Sequence, residues 1–224
     1  MFRLDSGHVY RAEALEQFTW LNHGFGTRLS SDWPDTRNLA TIKQVHSDRV
    51  LTVETAGPAG EGDALISNRP GLSLAIRTAD CLPILMVDPR NRAIAAVHAG
   101  WRGTAAEITA KAIDAMAREF GTRSEELIIA IGPGIGACCY MVGPEVTARF
   151  RQFFPEREDL SGAAKIDLVQ TTIRQLRRNG GKIGQIAPAT LCTHCQSELF
   201  HSYRRDGEAA GRMVTTIGLQ ESSR

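Results

Sequence analysis

The sequence predicts an α/β (α+β) fold, and three observations carry that prediction. Two apolar runs, residues 82–87 and 93–97, flank Pro89-Arg90-Asn91 and read as a hairpin of buried strands. Residues 104–120 place Ile108, Ala112, Ala115 and Met116 on one helical face, and Gly121 stops them. The chain has 224 residues with 42% hydrophobic content, enough to bury a proper core.

In chain order, residues 1–30 are weakly patterned, with His23-Gly24-Phe25-Gly26 reading as a strand that runs into a turn. The polar stretch 30–38, with Trp33-Pro34, reads as a loop. Residues 42–46 form a short alternating strand and 49–54 a second extended piece, and the Gly/Pro-rich stretch 56–62 reads as a surface loop. Strands at 63–66 and 72–77 follow, separated by Asn68-Arg69-Pro70-Gly71. Thr78-Ala79-Asp80-Cys81 leads into the hairpin. A two-residue turn would pair Asp88 with Asn91 and set Cys81 opposite His98; a three-residue turn moves Cys81 one place off. Pro83 lacks an N–H and argues for an edge strand or an irregularity.

Beyond the hairpin, Thr104 with Glu107 has the form of a capping box opening helix 104–120. Residues 127–131 are another buried strand, entering Gly132-Pro133-Gly134-Ile135-Gly136, which reads as a tight turn or an anion cradle. Pro144 starts a helix over 144–153. Asp167, with Gln170 three on, caps a helix that runs to about Asn179 and ends at Gly180. Residues 213–219 close the chain as a strand.

The net charge of +1, with acids and bases mixed along the chain, excludes the basic footprint of a nucleic-acid binder. A secretory signal and a transmembrane run are both missing from the sequence, which points away from a membrane. Five cysteines, an odd number, suit a reducing cytoplasm with free or metal-bound thiols. Cys192-Thr193-His194-Cys195 has half of a zinc-ribbon spacing and lacks a second Cys-x-x-Cys, so these two read as structural or incidental thiols.

The chemistry concentrates at the hairpin. His98 ends a strand beside Gly100-Trp101-Arg102-Gly103, and a helix start there offers free backbone donors to an anion. Opposed hairpin residues hold their Cβ atoms about 4.5–5.5 Å apart, close enough for Cys81 and His98 to share a metal or act as a Cys–His pair. The pattern alone does not place His46.

Gln44-Val45-His46, Thr78-Ala79-Asp80-Cys81-Leu82-Pro83, His98-Ala99-Gly100-Trp101-Arg102-Gly103, Gly132-Pro133-Gly134-Ile135 and Ser202-Tyr203-Arg204-Arg205-Asp206-Gly207 resemble the signatures of the YfiH family. That family is also called the laccase-domain, polyphenol oxidase or purine nucleoside phosphorylase family and includes peptidoglycan editing factor-like members. The resemblance spans about residues 20–219. It implies one domain over 1–224, with mixed β-sheets covered by helices. It implies a metal, zinc first and copper second, on His46, Cys81 and His98. It also implies phosphorolysis of adenosine, inosine, guanosine or methylthioadenosine to base and sugar 1-phosphate, accompanied by adenosine deamination. A monomer or weak homodimer is expected.

On this reading Arg102, Gly100, Gly103 and Arg204 bind phosphate or sugar. Asp80, beside Cys81, is a catalytic candidate that orients a ligand histidine. The first rival is a Cys–His amidase editing cell-wall precursors, with Cys81 as nucleophile, His98 as base and Asp80 orienting. The second is a copper oxidase with Met86 as a weak axial ligand, against which the lack of any His-x-His counts. The third is a folding module built on zinc, which would want four protein ligands rather than three.

Overall fold

The computed structural model describes residues 1–178 and 184–221. The strands are β1 (Phe2–Leu4), β2 (Val9–Ala12), β3 (Leu21–Gly26), β4 (Leu39–Lys43), β5 (Val50–Thr52), β6 (Gly57–Glu61), β7 (Ala64–Ser67), β8 (Ser73–Thr78), β9 (Leu82–Asp88), β10 (Ala93–Ala99), β11 (Ile128–Ile131), β12 (Met141–Val142), β13 (Ala164–Lys165), β14 (Gln185–Pro188) and β15 (Met213–Leu219). The helices are α1 (Glu13–Glu16), α2 (Trp101–Ala105), α3 (Ile108–Phe120), α4 (Pro144–Phe150), α5 (Leu168–Arg178) and α6 (Tyr203–Asp206).

A seven-stranded sheet runs β1-β2-β3-β15-β8-β4-β6 and a six-stranded sheet runs β14-β11-β9-β10-β7-β5; β12 and β13 form a small ladder. Both large sheets mix parallel and antiparallel neighbours. The six-stranded sheet is the middle layer. Alternate residues of β9 and β10 point to opposite faces. Leu85, Val87, Ile94 and Ala96 pack against Leu74, Ile76 and Ile217 of the other sheet. Ile84, Met86, Ala95 and Val97 pack against Ile108, Ala112 and Met116 of α3. Burial on both faces is why these two strands are continuous apolar runs rather than alternating ones.

The hairpin differs from expectation in register. Ala93 pairs with Asp88, so the loop holds four residues, 89–92, and His98 lies opposite Pro83. Asp88 sets the longer loop: its carboxylate accepts from the N–H groups of Arg90 and Asn91 and from Asn91 Nδ2, and Arg92 turns back with φ of 47°. Nor is β9 an edge. It lies between β10 and β11, and Pro83 is tolerated near its start, where its carbonyl accepts from Gly132 N–H.

The predicted helix 104–120 is two helices. Gly100, extended at φ −74° and ψ 174°, lets α2 begin at Trp101, and Glu107 at φ 60° separates it from α3. Thr104 therefore lies inside α2 and forms no capping box; its buried hydroxyl has no partner among the described residues. Gln175 of α5 donates instead to the Thr104 carbonyl at 2.7 Å. The Gly/Pro-rich stretch 56–62 forms edge strand β6, paired in parallel to β4. The expected strand 42–46 ends at Lys43 and leaves His46 in a loop. Asp167 caps α5 as predicted, accepting from Gln170 N–H at 2.8 Å. The predicted stop at Gly180 lies outside the described residues.

His23 on β3 is 3% exposed and its Nε2 accepts from Ala12 N–H at 3.0 Å, which requires a neutral ring. Burial, helped by the Arg11 charge, pushes its pKa from 6.5 down to about 4. The unfolded chain binds this proton first, so stability is full above about pH 6.5 and declines as the pH falls toward 4. The expected loss is about 3 kcal/mol from this group. Urea denaturation at several pH values checks it, and His23→Gln should flatten the slope.

Candidate metal centre

Three chain segments converge at the end of the hairpin. His98 is the penultimate residue of β10, and Cys81 immediately precedes β9. The register carries Cys81 past His98 to the level of Gly100. A methyl group on Gly100 would stand 2.9 Å from Cys81 Sγ and 3.0 Å from His46 Nδ1, so glycine there leaves room for both side chains. His46 arrives from the loop after β4 with φ of 57°. Asp80, at φ 81°, turns the chain so that Cys81 faces the same point. The His46 and His98 ring centroids are 4.9 Å apart, and one donor atom each from His46, Cys81 and His98 lies within 4.8 Å of the others. Two imidazoles and one thiolate fit a metal that keeps an open coordination position.

Asp63, fully buried just ahead of β7, organises the cluster. One carboxylate oxygen accepts from His98 Nδ1 at 2.7 Å and from His46 N–H at 3.0 Å. The other accepts from Ser47 N–H at 2.5 Å and Ser47 Oγ at 2.7 Å. His98 thereby presents Nε2 to the cluster, and the turn carrying His46 is pinned by its backbone. Asp63, which the sequence reading passed over, performs the orienting role expected of Asp80. Asp80 instead accepts from Thr193 Oγ1 at 2.6 Å, Ser202 Oγ at 3.1 Å and Arg204 N–H at 2.7 Å. It positions the turn at α6, and its hydrogen bonds go to neither His46 nor His98.

Opposite charges reinforce the arrangement. Burial raises the Cys81 thiol pKa, but hydrogen bonds and charge from His46 and His98 outweigh it and leave it near 7. Burial lowers His98, yet hydrogen bonds to Asp63 and Cys81 and their charges lift it to about 9. Hydrogen bonds and neighbouring charge thus favour a thiolate at Cys81 and a protonated ring at His98.

The cluster opens into a cleft of about 730 Å³, within the usual range for small-molecule sites. Ile42, Ile135 and Leu168 supply apolar wall, and Trp101, Tyr140 and Tyr203 supply rings. Of its lining residues, Arg77, Arg102, Arg204 and Arg212 are cationic and Asp80 alone is acidic. Arg102 lies over the Trp101 ring at 4.4 Å and Arg204 over Tyr140 at 5.2 Å. These stacks hold two guanidiniums at the cleft wall. Burial lifts the Tyr140 hydroxyl to about 12, so it remains protonated.

Other predicted positions fall differently. Gly103 is buried against the Ser47 carbonyl and is not part of the cleft wall; its missing side chain lets α2 rest on the loop carrying His46. The glycines at 132 and 134 allow close packing on Phe25 and Leu82, and the Gly132 and Ile135 N–H groups go to the Pro83 and Asp80 carbonyls, so this turn is no anion cradle. Met86 is in the core at mid-strand, three register places from His98 and about 10 Å along the strand, too far for an axial ligand. Arg205 is spent on Asp206 and on the carbonyls of Thr193, His194 and Phe200.

A two-sheet α/β scaffold carries a His₂Cys cluster at the mouth of an arginine-lined cleft, and three donor residues suit an open site better than a closed structural one. The chain belongs to the multi-copper polyphenol oxidoreductase laccase family, whose model matches residues 27–220. It is 35% identical over 188 residues to a purine nucleoside phosphorylase of Clostridium acetobutylicum, covering 83% of this chain and 79% of that one. It is 33% identical over 199 residues to an adenosine deaminase from an unknown prokaryotic organism, covering 82% and 76%. The crystal structure of YlmD from Geobacillus stearothermophilus superposes with a TM-score of 0.86 at 27% identity, over 98% of this chain and 99% of that one. The YfiH resemblance read from the motifs is confirmed. No helix among the described residues is long and apolar enough to cross a membrane.

Proposed function

We propose that this chain is a zinc-dependent purine nucleoside phosphorylase with accompanying adenosine deaminase activity. It would act as a single domain, monomeric or weakly dimeric, in the cytoplasm. The observation that carries the reading is a three-ligand His₂Cys cluster opening onto a cleft whose charged lining is almost wholly arginine. Its substrates are adenosine, inosine, guanosine or methylthioadenosine with phosphate, and its products the base and the sugar 1-phosphate. The names of the relatives support this class.

His46, Cys81 and His98 would hold the zinc, which would supply Lewis-acid polarisation. The apolar wall of Ile42, Ile135 and Leu168 receives the base and excludes water from it. Arg102, stacked on Trp101, and Arg204, held by its own contact to the Met141 carbonyl at 2.7 Å, neutralise phosphate and orient it. Asp80 acts through Arg204, whose N–H it accepts.

The test is product analysis of adenosine with pure, metal-quantified protein, with and without phosphate, beside Cys81→Ala. Adenine and ribose 1-phosphate that need both phosphate and metal support the phosphorylase. Inosine without a phosphate requirement means a deaminase. Neither product, from a chain that lacks zinc and has a reactive Cys81, turns the reading to the Cys–His amidase acting on a cell-wall peptide. That second reading is favoured by the Cys81 thiol near 7 between two imidazoles. Arg102→Ala should raise the phosphate KM about 10–100-fold, from the loss of one charge-assisted contact, while the nucleoside KM changes little. An unmoved phosphate KM removes Arg102 from that role.

A further inference from the structure

The other four cysteines are not scattered. Cys138 and Cys139 lie on one turn and Cys192 and Cys195 on another, and their four Sγ atoms lie within 4.8 Å of one another. Cys195 Sγ is 3.3 Å from Cys139 Sγ and 3.7 Å from Cys138 Sγ. A tetrahedral zinc with four thiolates at about 2.3 Å sets its sulfurs about 3.8 Å apart. Cys192 and Cys195 are completed not by a second Cys-x-x-Cys but by the adjacent pair Cys138 and Cys139.

We infer that Cys138, Cys139, Cys192 and Cys195 form a second, closed metal site that takes zinc and clamps together two turns, the first of which leads into Tyr140 on the cleft wall. The backbone already prepares it. Gly134 and Cys192 form a parallel bridge, and Thr193 N–H donates to the Gly134 carbonyl at 3.0 Å. Gly136 N–H donates to Cys192 Sγ at 3.2 Å, a contact that favours thiolate. A methyl on Gly136 would stand 3.2 Å from Cys138 Sγ and 3.3 Å from Cys192 Cβ, so glycine lets the two turns close on their sulfurs. Cys139 and Tyr140 both donate N–H to the Gly136 carbonyl, which coils the first turn. Gln196 N–H to the Cys192 carbonyl coils the second.

The donor set decides the occupant. Four sulfurs in a compact group select a thiophilic tetrahedral cation, and a closed four-ligand set marks a structural rather than a catalytic site. Binding zinc releases the thiol protons to solvent with no change of oxidation state. All four are free thiols, and the 3.3 Å between Cys139 Sγ and Cys195 Sγ exceeds the length of a disulfide bond, about 2.05 Å. What the site would steady is visible in its neighbours. Tyr140, next to Cys139, lines the cleft, and Thr193, next to Cys192, donates to Asp80. This inference does not depend on the reaction proposed above.

Metal analysis of the full chain, purified under reducing conditions without chelator, tests it. Cys81→Ala disables the His₂Cys centre and should still carry about one zinc per chain. Adding Cys195→Ser should bring that to about none, whereas Cys195→Ser alone should keep the His₂Cys metal. In the Cys81→Ala chain the four thiols should resist a thiol reagent until a chelator is added, which reads the site without altering any of its ligands. Cobalt loading of that chain should give the thiolate charge-transfer absorption of an all-sulfur site. Freely reactive thiols and no zinc in the Cys81→Ala chain would overturn the proposal. A disulfide among the four, or iron in place of zinc, would overturn it too.

Discussion

Cys81→Ala is expected to strip the metal from the His₂Cys centre and cut product formation by about a thousandfold. The magnitude follows from losing several kcal/mol of charge stabilisation in the transition state. Two imidazoles remain, but one of the three protein ligands is gone, and the cleft residues still bind substrate. Metal content and turnover should fall together, with nucleoside affinity retained. Cys81→Asp separates the two chemistries available to this side chain. A carboxylate can replace the thiolate in a two-histidine set, so part of the metal and part of the activity should persist. A thiol nucleophile has no such substitute. Full metal occupancy with activity lost in Cys81→Asp would therefore favour the amidase.

Asp63→Ala is expected to destabilise the fold by about 3–5 kcal/mol, the effect of removing a buried charged acceptor with several partners. The carboxylate serves His98 Nδ1, His46 N–H, Ser47 N–H and Ser47 Oγ, and Asp63 itself has no exposed surface. Asp63→Asn is the milder probe. One end of the amide accepts and the other faces a donor. The fold should survive while metal affinity drops about 10–100-fold. Denaturant unfolding and metal titration together check this; an Asn variant with unchanged metal affinity would reduce Asp63 to a loop anchor. Gly100→Ala is a third probe of the same centre. Its methyl would press on Cys81 Sγ and His46 Nδ1, so metal loss should exceed any fall in melting temperature.

The layered fold was legible where burial writes itself into composition. Strands β9, β10 and β15, helix α5 with its Asp167 cap, and the approach of Cys81 to His98 near one hairpin end, though not as opposed residues, all follow from apolar runs and turn residues. The hairpin register was off because the loop length depends on Asp88, whose carboxylate gathers three donors. A side chain that organises a loop leaves no period to count. Pro83 misled in the same way. Its missing N–H matters only if that position would have donated, and β11 needs only its carbonyl. His46 reached the centre through the family resemblance alone, since its loop carries no local pattern. Asp63 is not singled out because, as the first residue of the expected strand 63–66, it has no local pattern that names its partners. Its burial is decided by chain 17 residues before it and 35 after it. The cysteine cluster was missed because two turns 56 residues apart, bonded from Gly136 N–H to Cys192 Sγ, share one sulfur cage.

The hydrogen bonds around Asp63 have one more consequence. His98 is tied to Asp63 through both its ring and its backbone, the latter by His98 N–H to the Asp63 carbonyl at 2.8 Å. His46 is tied to the same residue through its own amide. Two of the three candidate ligands therefore hang from one rigid post set in the middle layer of the protein. The conformational entropy of assembling the centre is spent during folding, before any metal arrives. Loading and unloading this centre should proceed with little change in shape or heat capacity, and different divalent ions should compete for it on intrinsic affinity rather than on how well each can draw the loops together.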